Sequence, residues 1–163
     1  MNIYINEESI LHIETLIVGL PEHINQLREI KYNNQSINEQ LETLKQHHII
    51  GSSVGKISST MFYTNNQPKR LLTVGLGNLK DLSYQRLLKV WGHTFQFLKQ
   101  EHINEAEVLL DTFISKYNDS IEVAKTFGLQ SNQSIYQFDN YKSDKKAPYQ
   151  PNIYVQTEFD KVN

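Results

Sequence analysis

The sequence has no cysteine. Disulfides and cysteine-based zinc sites are therefore excluded, and a reducing compartment is compatible with the composition. Neither sign of charge dominates: 16 lysines and arginines stand against 18 acidic residues, a net charge of −2. Nucleic-acid and membrane-surface proteins carry a basic excess or stripe, so neither partner is expected. No stretch approaches eighteen uncharged apolar residues, and nothing in the sequence reads as a bilayer span. Glu7, Glu8, Glu14, Glu22, Arg28 and Glu29 interrupt the first thirty residues, which argues against a secretory segment there. The Asn-x-Ser/Thr triplets at Asn34, Asn118 and Asn132 then read as chance in an Asn-rich chain. A soluble cytoplasmic protein is the expectation. There is no internal repeat, no low-complexity tract and no Gly-x-Ser-x-Gly nucleophile turn.

What is present is organised around residues 70–101. An apolar run, Leu71-Leu72-Thr73-Val74, meets Gly75-Leu76-Gly77 and then a long amphipathic stretch. Leu88, Trp91, Phe95 and Leu98 recur at three- and four-residue spacing, with Lys89, His93, Gln96 and Gln100 opposite. A buried strand, a glycine turn and a helix folded back over the strand account for this order. The helix is expected to start at Ser83, with Asp81 as the other cap, and to end near Gln100. Gly92 inside it predicts the close approach of another backbone.

Around this unit the chain reads as alternating elements. Ile10 to Leu20, closed by Gly19 and Pro21, predicts a strand buried on both faces. Ser36 or Asn38 would cap a helix to about His47, with Leu41 and Leu44 inward. A Ser/Gly loop leads into a strand near residues 57–63, and Asn65-Asn66-Gln67-Pro68 turns it back as a hairpin. Glu107 to Phe113 predicts a strand. Asn118 or Asp119 caps a helix to about Tyr141, with Ile121, Ala124, Gly128, Ser131, Ile135 and Phe138 inward. Asn152 to Thr157 has the composition of a last strand. The pattern predicts a three-layer α/β/α domain with a mixed, mainly parallel sheet, its ligand-facing edge at the carboxyl ends of the parallel strands.

Several local signals invite chemistry. Gly51-Ser52-Ser53-Val54-Gly55-Lys56 approaches a P-loop, but only three residues separate the first glycine from the Gly-Lys pair. Ile57 stands where the magnesium-binding hydroxyl belongs, so a loop is the better reading. Gly75, Leu76 and Gly77 are the candidate ligand-binding residues, placed for a diphosphate ahead of a helix amino end. They lack the third glycine of a dinucleotide fingerprint, since residue 80 is Lys80, and a tight turn uses glycine equally well. Adjacent His47 and His48 would point about 100° apart on a helix. His12, His23, His93 and His102 stand alone, so no metal-ligating or catalytic residue is assigned. Lys142, Lys145 and Lys146, flanked by Asp139 and Asp144, read as a solvated loop.

Residues 135–143, Ile135-Tyr136-Gln137-Phe138-Asp139-Asn140-Tyr141-Lys142-Ser143, resemble the Tyr-x-Phe-x-x-Tyr-Lys-Ser/Thr signature that ends the amino-terminal domain of the leucyl aminopeptidases, the cytosol aminopeptidases. Leu71 to Gly77 and the helix after it resemble the VGLG strand, turn and helix of the same domain. Together they cover roughly Leu71 to Thr157. The resemblance implies a macro-domain-like fold over residues 1–163, joined to a separate catalytic carboxyl-terminal domain with two divalent metal ions (zinc, manganese or magnesium). It implies hexamers that remove amino-terminal residues from peptides. The family's catalytic segments have the forms VGKG and NTDAEGR. Val54-Gly55-Lys56 echoes the first in the wrong domain, and nothing matches the second, so no catalytic or metal residue is carried over.

Two functions compete at this stage. One is the non-catalytic amino-terminal domain of a metallo-aminopeptidase, inactive alone, acting in assembly and in shaping access to the active site. Its partners would be its own catalytic domain, neighbouring subunits and, at the parent's active site, peptide. The other is a free-standing macro-like module that binds ADP-ribose or a nucleotide at Gly75, Leu76 and Gly77.

Overall fold

The structure is a computed structural model that describes residues 1–8, 12–27, 29–32, 34–64, 67–139 and 149–158. The side chains of 136–139 also fall outside the described set, and with them most of the Tyr136–Ser143 signature and the basic loop of Lys142, Lys145 and Lys146.

Six strands form one sheet: β1 (Asn2–Ile5), β2 (Thr15–Pro21), β5 (Ile57–Thr64), β6 (Gln67–Gly77), β7 (Glu105–Leu109) and β8 (Asn152–Gln156). Their order is β1-β8-β7-β2-β6-β5. All neighbours run parallel except β5 and β6, which form the expected hairpin. A small second sheet, β3 (Lys31–Tyr32) with β4 (Gln35–Ser36), turns through Asn34 at φ 64°. The left-handed conformation suits asparagine there.

β2 is buried at every residue, as a central strand between two covered faces must be. Its side chains divide by parity. Ile17 joins Leu72, Val74, Val108 and Val155 on the face covered by α2 (Tyr84–Gln100) and α3 (Ser120–Asp139). Leu16, Val18 and Leu20 join Phe62 and Leu71 on the face covered by α1 (Asn38–Gln46). The fold is the three-layer α/β/α arrangement that the sequence predicts.

The α2–α3 layer is locked by aromatics. Trp91 is fully buried, its ring 4.2 Å from Phe113 and edge-on to Phe127 at 5.0 Å. Its indole N–H donates to Thr126 Oγ1 at 3.1 Å, which removes the penalty of burying that donor. Ser83 caps α2 as expected, accepting from the Arg86 amide at 3.2 Å. Asp119 does the same for α3, accepting from Glu122 N at 2.7 Å.

Several expectations are corrected. Gly75-Leu76-Gly77 is the end of β6, not a turn; the chain reverses through a 3-10 segment at Leu79–Asp81. α1 has no side-chain cap: Asn38 instead accepts from the Ile30 amide at 2.8 Å. β7 stops at Leu109, and Leu110–Phe113 is a 3-10 turn. There the Thr112 hydroxyl donates to Leu109 O and accepts from Gly19 N, both at 2.7 Å. A side chain thus completes the ladder where the strand no longer can. The buried face of α3 is Val123, Thr126, Phe127, Ser131 and Ser134, while Ile121 is 67% exposed. The expected close backbone approach at Gly92 is not found among the described residues: the three atoms nearest to an added Cβ all belong to the Gln130 side chain, the first at 3.6 Å.

Candidate functional site

The glycines at the end of β6 are already engaged by the chain itself. The loop of residues 51–56 crosses directly over them. Gly75 N donates to Lys56 O at 2.8 Å, Gly77 N to Ser52 O at 2.7 Å, and Gly75 O accepts from Gly55 N at 2.9 Å. A Cβ on Gly75 would sit 1.8 Å from the Ser53 carbonyl oxygen. Gly77 O takes the Glu22 amide, and Leu76 is fully buried. His93 fastens the loop to α2, its Nδ1 lying 2.9 Å from Gly55 O. The P-loop-like lysine does not point at a cradle, because the Lys56 side chain lies back along Gly51. The two amides that a diphosphate would use are thus spent within the fold.

The open position lies elsewhere on the same edge. After β2 the chain goes to the α1 face; after β7 it goes to the α3 face. Adjacent strands whose connections leave toward opposite faces open a crevice at their carboxyl ends. A cavity of about 250 Å³ sits at this point. The segment after β2 contributes Leu27, Glu29, Ile30 and Lys31, and the ends of β7 and β8 contribute Leu109, Asp111 and Gln156. Asp111 is held in place: Oδ1 accepts from the Thr157 hydroxyl at 2.5 Å and Oδ2 from the Glu158 amide at 2.9 Å. The Gln156 amide nitrogen is buried there without a hydrogen-bond partner. The sequence pointed to this edge of the sheet but not to these residues. The one local signal was Asp111, an acid directly after an apolar strand.

A second polar group is buried deeper, on the α1 face. Glu107 and Lys69 are each 3% exposed. Burial pushes the Glu107 carboxyl above the ordinary carboxylate range, while the Tyr32 hydroxyl that bonds it and the Lys69 charge pull it back down. Burial lowers Lys69 against the opposing pull of Glu107 and Glu14, and its ammonium donates to the Ile13 carbonyl. Burial, then the Glu107 charge, raises Tyr32. None of Glu107, Lys69 and Tyr32 is among the residues that line the crevice at the strand ends, and one Glu107 carboxyl oxygen is buried without a hydrogen-bond partner. Among the described residues no three His, Cys, Asp or Glu side chains cluster to hold a metal ion. The two divalent ions implied by the resemblance find no ligand set there. Nor, among the described residues, is any helix long and apolar enough to cross a membrane.

The family model for the N-terminal domain of the cytosol aminopeptidase family matches residues 17–145. The chain belongs to this family. Solved structures similar to this N-terminal domain have low sequence identity and show the fold alone. The bottromycin maturation enzyme BotP is 11% identical with a TM-score of 0.58, over 91% of this chain and 28% of that one. A single-residue mutant of tomato leucine aminopeptidase is 12% identical with a TM-score of 0.59, over 96% of this chain and 32% of that one. The macrodomain of Thermus aquaticus DarG is 7% identical with a TM-score of 0.56, over 96% and 97% respectively. The chain therefore spans about a third or less of the two enzymes and the whole of the macrodomain, and the fold is macro-like.

Proposed function

We propose that this chain serves as the non-catalytic amino-terminal domain of a metal-dependent leucyl-type aminopeptidase of the cytoplasm. In this reading the peptide-cleaving centre, with its two divalent ions, belongs to a separate catalytic domain. The present domain contributes to the assembly of a homo-oligomer, a hexamer by resemblance, and shapes the approach of peptides. The observation that carries the reading is the family match over residues 17–145. Exposed apolar side chains at both sheet edges support the assembly role: Ile3, Tyr4 and Ile5 on β1, and Met61 and Tyr63 on β5. Edge strands carrying such residues need a covering partner. The test is an assay of the purified 163-residue chain with a leucine chromogenic substrate and manganese. No turnover is expected, and turnover that co-purifies with the chain refutes the reading.

The rival reading, ADP-ribose or a nucleotide on Gly75, Leu76 and Gly77, is the weaker. Its amides are engaged, and Glu29, Asp111 and Glu158 around the neighbouring crevice would repel a diphosphate. Calorimetry with ADP-ribose is expected to give no binding heat.

A further inference from the structure

We propose that the free edge of β5 is a self-association surface, at which two copies of this chain pair their β5 strands antiparallel about a twofold axis at Met61. Two six-stranded sheets would thereby join into one. The inference rests on the assembly role proposed above and names its edge, its partner and its register.

β5 ends the strand order, with β6 on one side and, among the described residues, no strand on the other. Its hydrogen-bonding phase is fixed at one end, where Gly75 N donates to Lys56 O. Opposed residues of an antiparallel pair alternate between bonded and unbonded. Along the register from Ile57 opposite Val74 to Thr64 opposite Gln67, the bonded pairs are therefore Ser58–Thr73, Thr60–Leu71 and Phe62–Lys69. The N–H and C=O groups of Ser59, Met61 and Tyr63 point away from β6. These three are also the exposed residues of the strand, Met61 at 53% and Tyr63 at 65%.

Natural sheets blunt an open edge with proline, charge or a bulge. From Ile57 to Thr64 there is no proline and no charged residue, and the register with β6 runs unbroken. The β1 edge is better protected: it is four residues long, with Glu7 and Glu8 just beyond its end.

A second copy fits the β5 edge because the edge is complementary to itself. The outward residues 59, 61 and 63 are symmetric about Met61. A twofold axis there sets Ser59 opposite the second copy's Tyr63 and Met61 opposite its own copy. Every outward donor then meets an outward acceptor, and no like charges within the strands are opposed. The cross-strand neighbour of Met61 is Arg70, which is already paired with Glu101 at 3.0 Å. The flank is open as well: a groove of about 410 Å³ lies between residues 61–63 of β5 and Glu39, Gln40, Thr43 and Leu44 of α1. The same axis runs the two copies of α1 antiparallel, turning the Glu39 end of one toward the Lys45 end of the other.

The test is sedimentation velocity of the 163-residue chain from about 1 μM to about 1 mM. A pairing of this size belongs with the weak interfaces, so a dimer with a dissociation constant of about 0.1 mM is expected. Met61→Lys sets two like charges face to face and should weaken the dimer at least about tenfold, with thermal unfolding unchanged because the side chain is exposed. The chain has no cysteine, so single cysteines report the register. Met61→Cys would face its own copy at about 5.5 Å between Cα atoms, within disulfide reach, and should give a covalent dimer under mild oxidation. Ser59→Cys, roughly 13 Å or more from its own copy, should not. A chain that stays monomeric throughout overturns the proposal. So do a dimer indifferent to Met61→Lys, Ser59→Cys cross-linking as fast as Met61→Cys, and a dimer lost on Ile5→Lys, which would place the contact on β1. None of these results touches the non-catalytic reading, which fails on turnover of the leucine substrate and not on oligomeric state.

Discussion

The carboxyl ends of β6 and of β7 lie on the same edge of one sheet, flanking β2, yet they are finished in opposite ways. At β6 the chain's own loop lies across the glycines, so closely that the Ser53 carbonyl occupies the volume a Gly75 Cβ would need. At β7 the chain turns away through Leu110–Phe113, leaving a crevice lined with carboxylates and an unpaired amide. Glycine at a strand end permits close approach by some backbone or ligand. Here the approaching group is the protein itself. The position without glycine is the one left open.

The sharpest way to break this contrast is Gly75→Ala. If the seal is as tight as described, the methyl group cannot coexist with the Ser53 carbonyl, and loop and strand must part. A loss of about 4 kcal/mol or more in unfolding free energy is expected, read by urea denaturation. A loss under about 1 kcal/mol would mean that the loop yields freely and the β6 end could admit a ligand.

Beneath the open end, Glu107 gives a pH-dependent effect. Leu109 and Glu107 share a face of β7, so the buried carboxyl lies on the crevice side of the sheet. The folded chain keeps the Glu107 proton to higher pH than the unfolded chain, whose carboxyl titrates near 4.5. Between 4.5 and the raised native value the folded state binds more protons, so this group's contribution to stability falls as pH rises. Glu107→Gln removes that slope. Denaturation at a series of pH values should show the variant gaining on the parent chain as pH rises above 4.5. A difference that does not change with pH would mean the carboxyl is as well solvated as an exposed one.

Asp111 tests the open end directly. Asp111→Ala removes the acceptor of the Thr157 hydroxyl and the Glu158 amide. Both donors are near solvent, so the expected loss is only about 1–2 kcal/mol. Amide exchange should quicken at Thr157 and Glu158 and stay unchanged at Gly75 and Gly77. Coupled loosening of both ends would show that they are not separate structures.

The fold was legible because its signals are local: apolar runs for β2 and β6, helical spacing in α2, and two asparagines in sequence between β5 and β6. The site was less so. Asp111 meets Thr157 across 46 positions, and nothing at Gly75 announces that residues 52–56 will lie on it. The face of α3 was misjudged for a different reason. Ser131 is buried as expected, but so is Thr126, which the expected stripe left out, with its hydroxyl bonded back to the Val123 carbonyl. A polar residue that satisfies itself along its own helix can face the core, so the expected stripe kept Ser131 but took in exposed Ile121 and missed Val123, Thr126 and Phe127.

Gly92 turns the contrast into a control with the opposite sign. It sits mid-helix in α2, and an added Cβ would find only the Gln130 side chain at ordinary contact distance. Nothing requires glycine there, in space or in backbone conformation, so Gly92→Ala exchanges a flexible residue for the best helix former. A gain of about 1 kcal/mol is expected, the smallest effect of the set and the only stabilising one. Thermal and urea unfolding of Gly92→Ala beside Gly75→Ala would then separate two glycines by cause, one held by packing against the chain's own backbone and the other by nothing within the described fold. A loss at position 92 would instead mean that α2 and α3 pack more closely than their 3.6 Å clearance at Gln130 indicates.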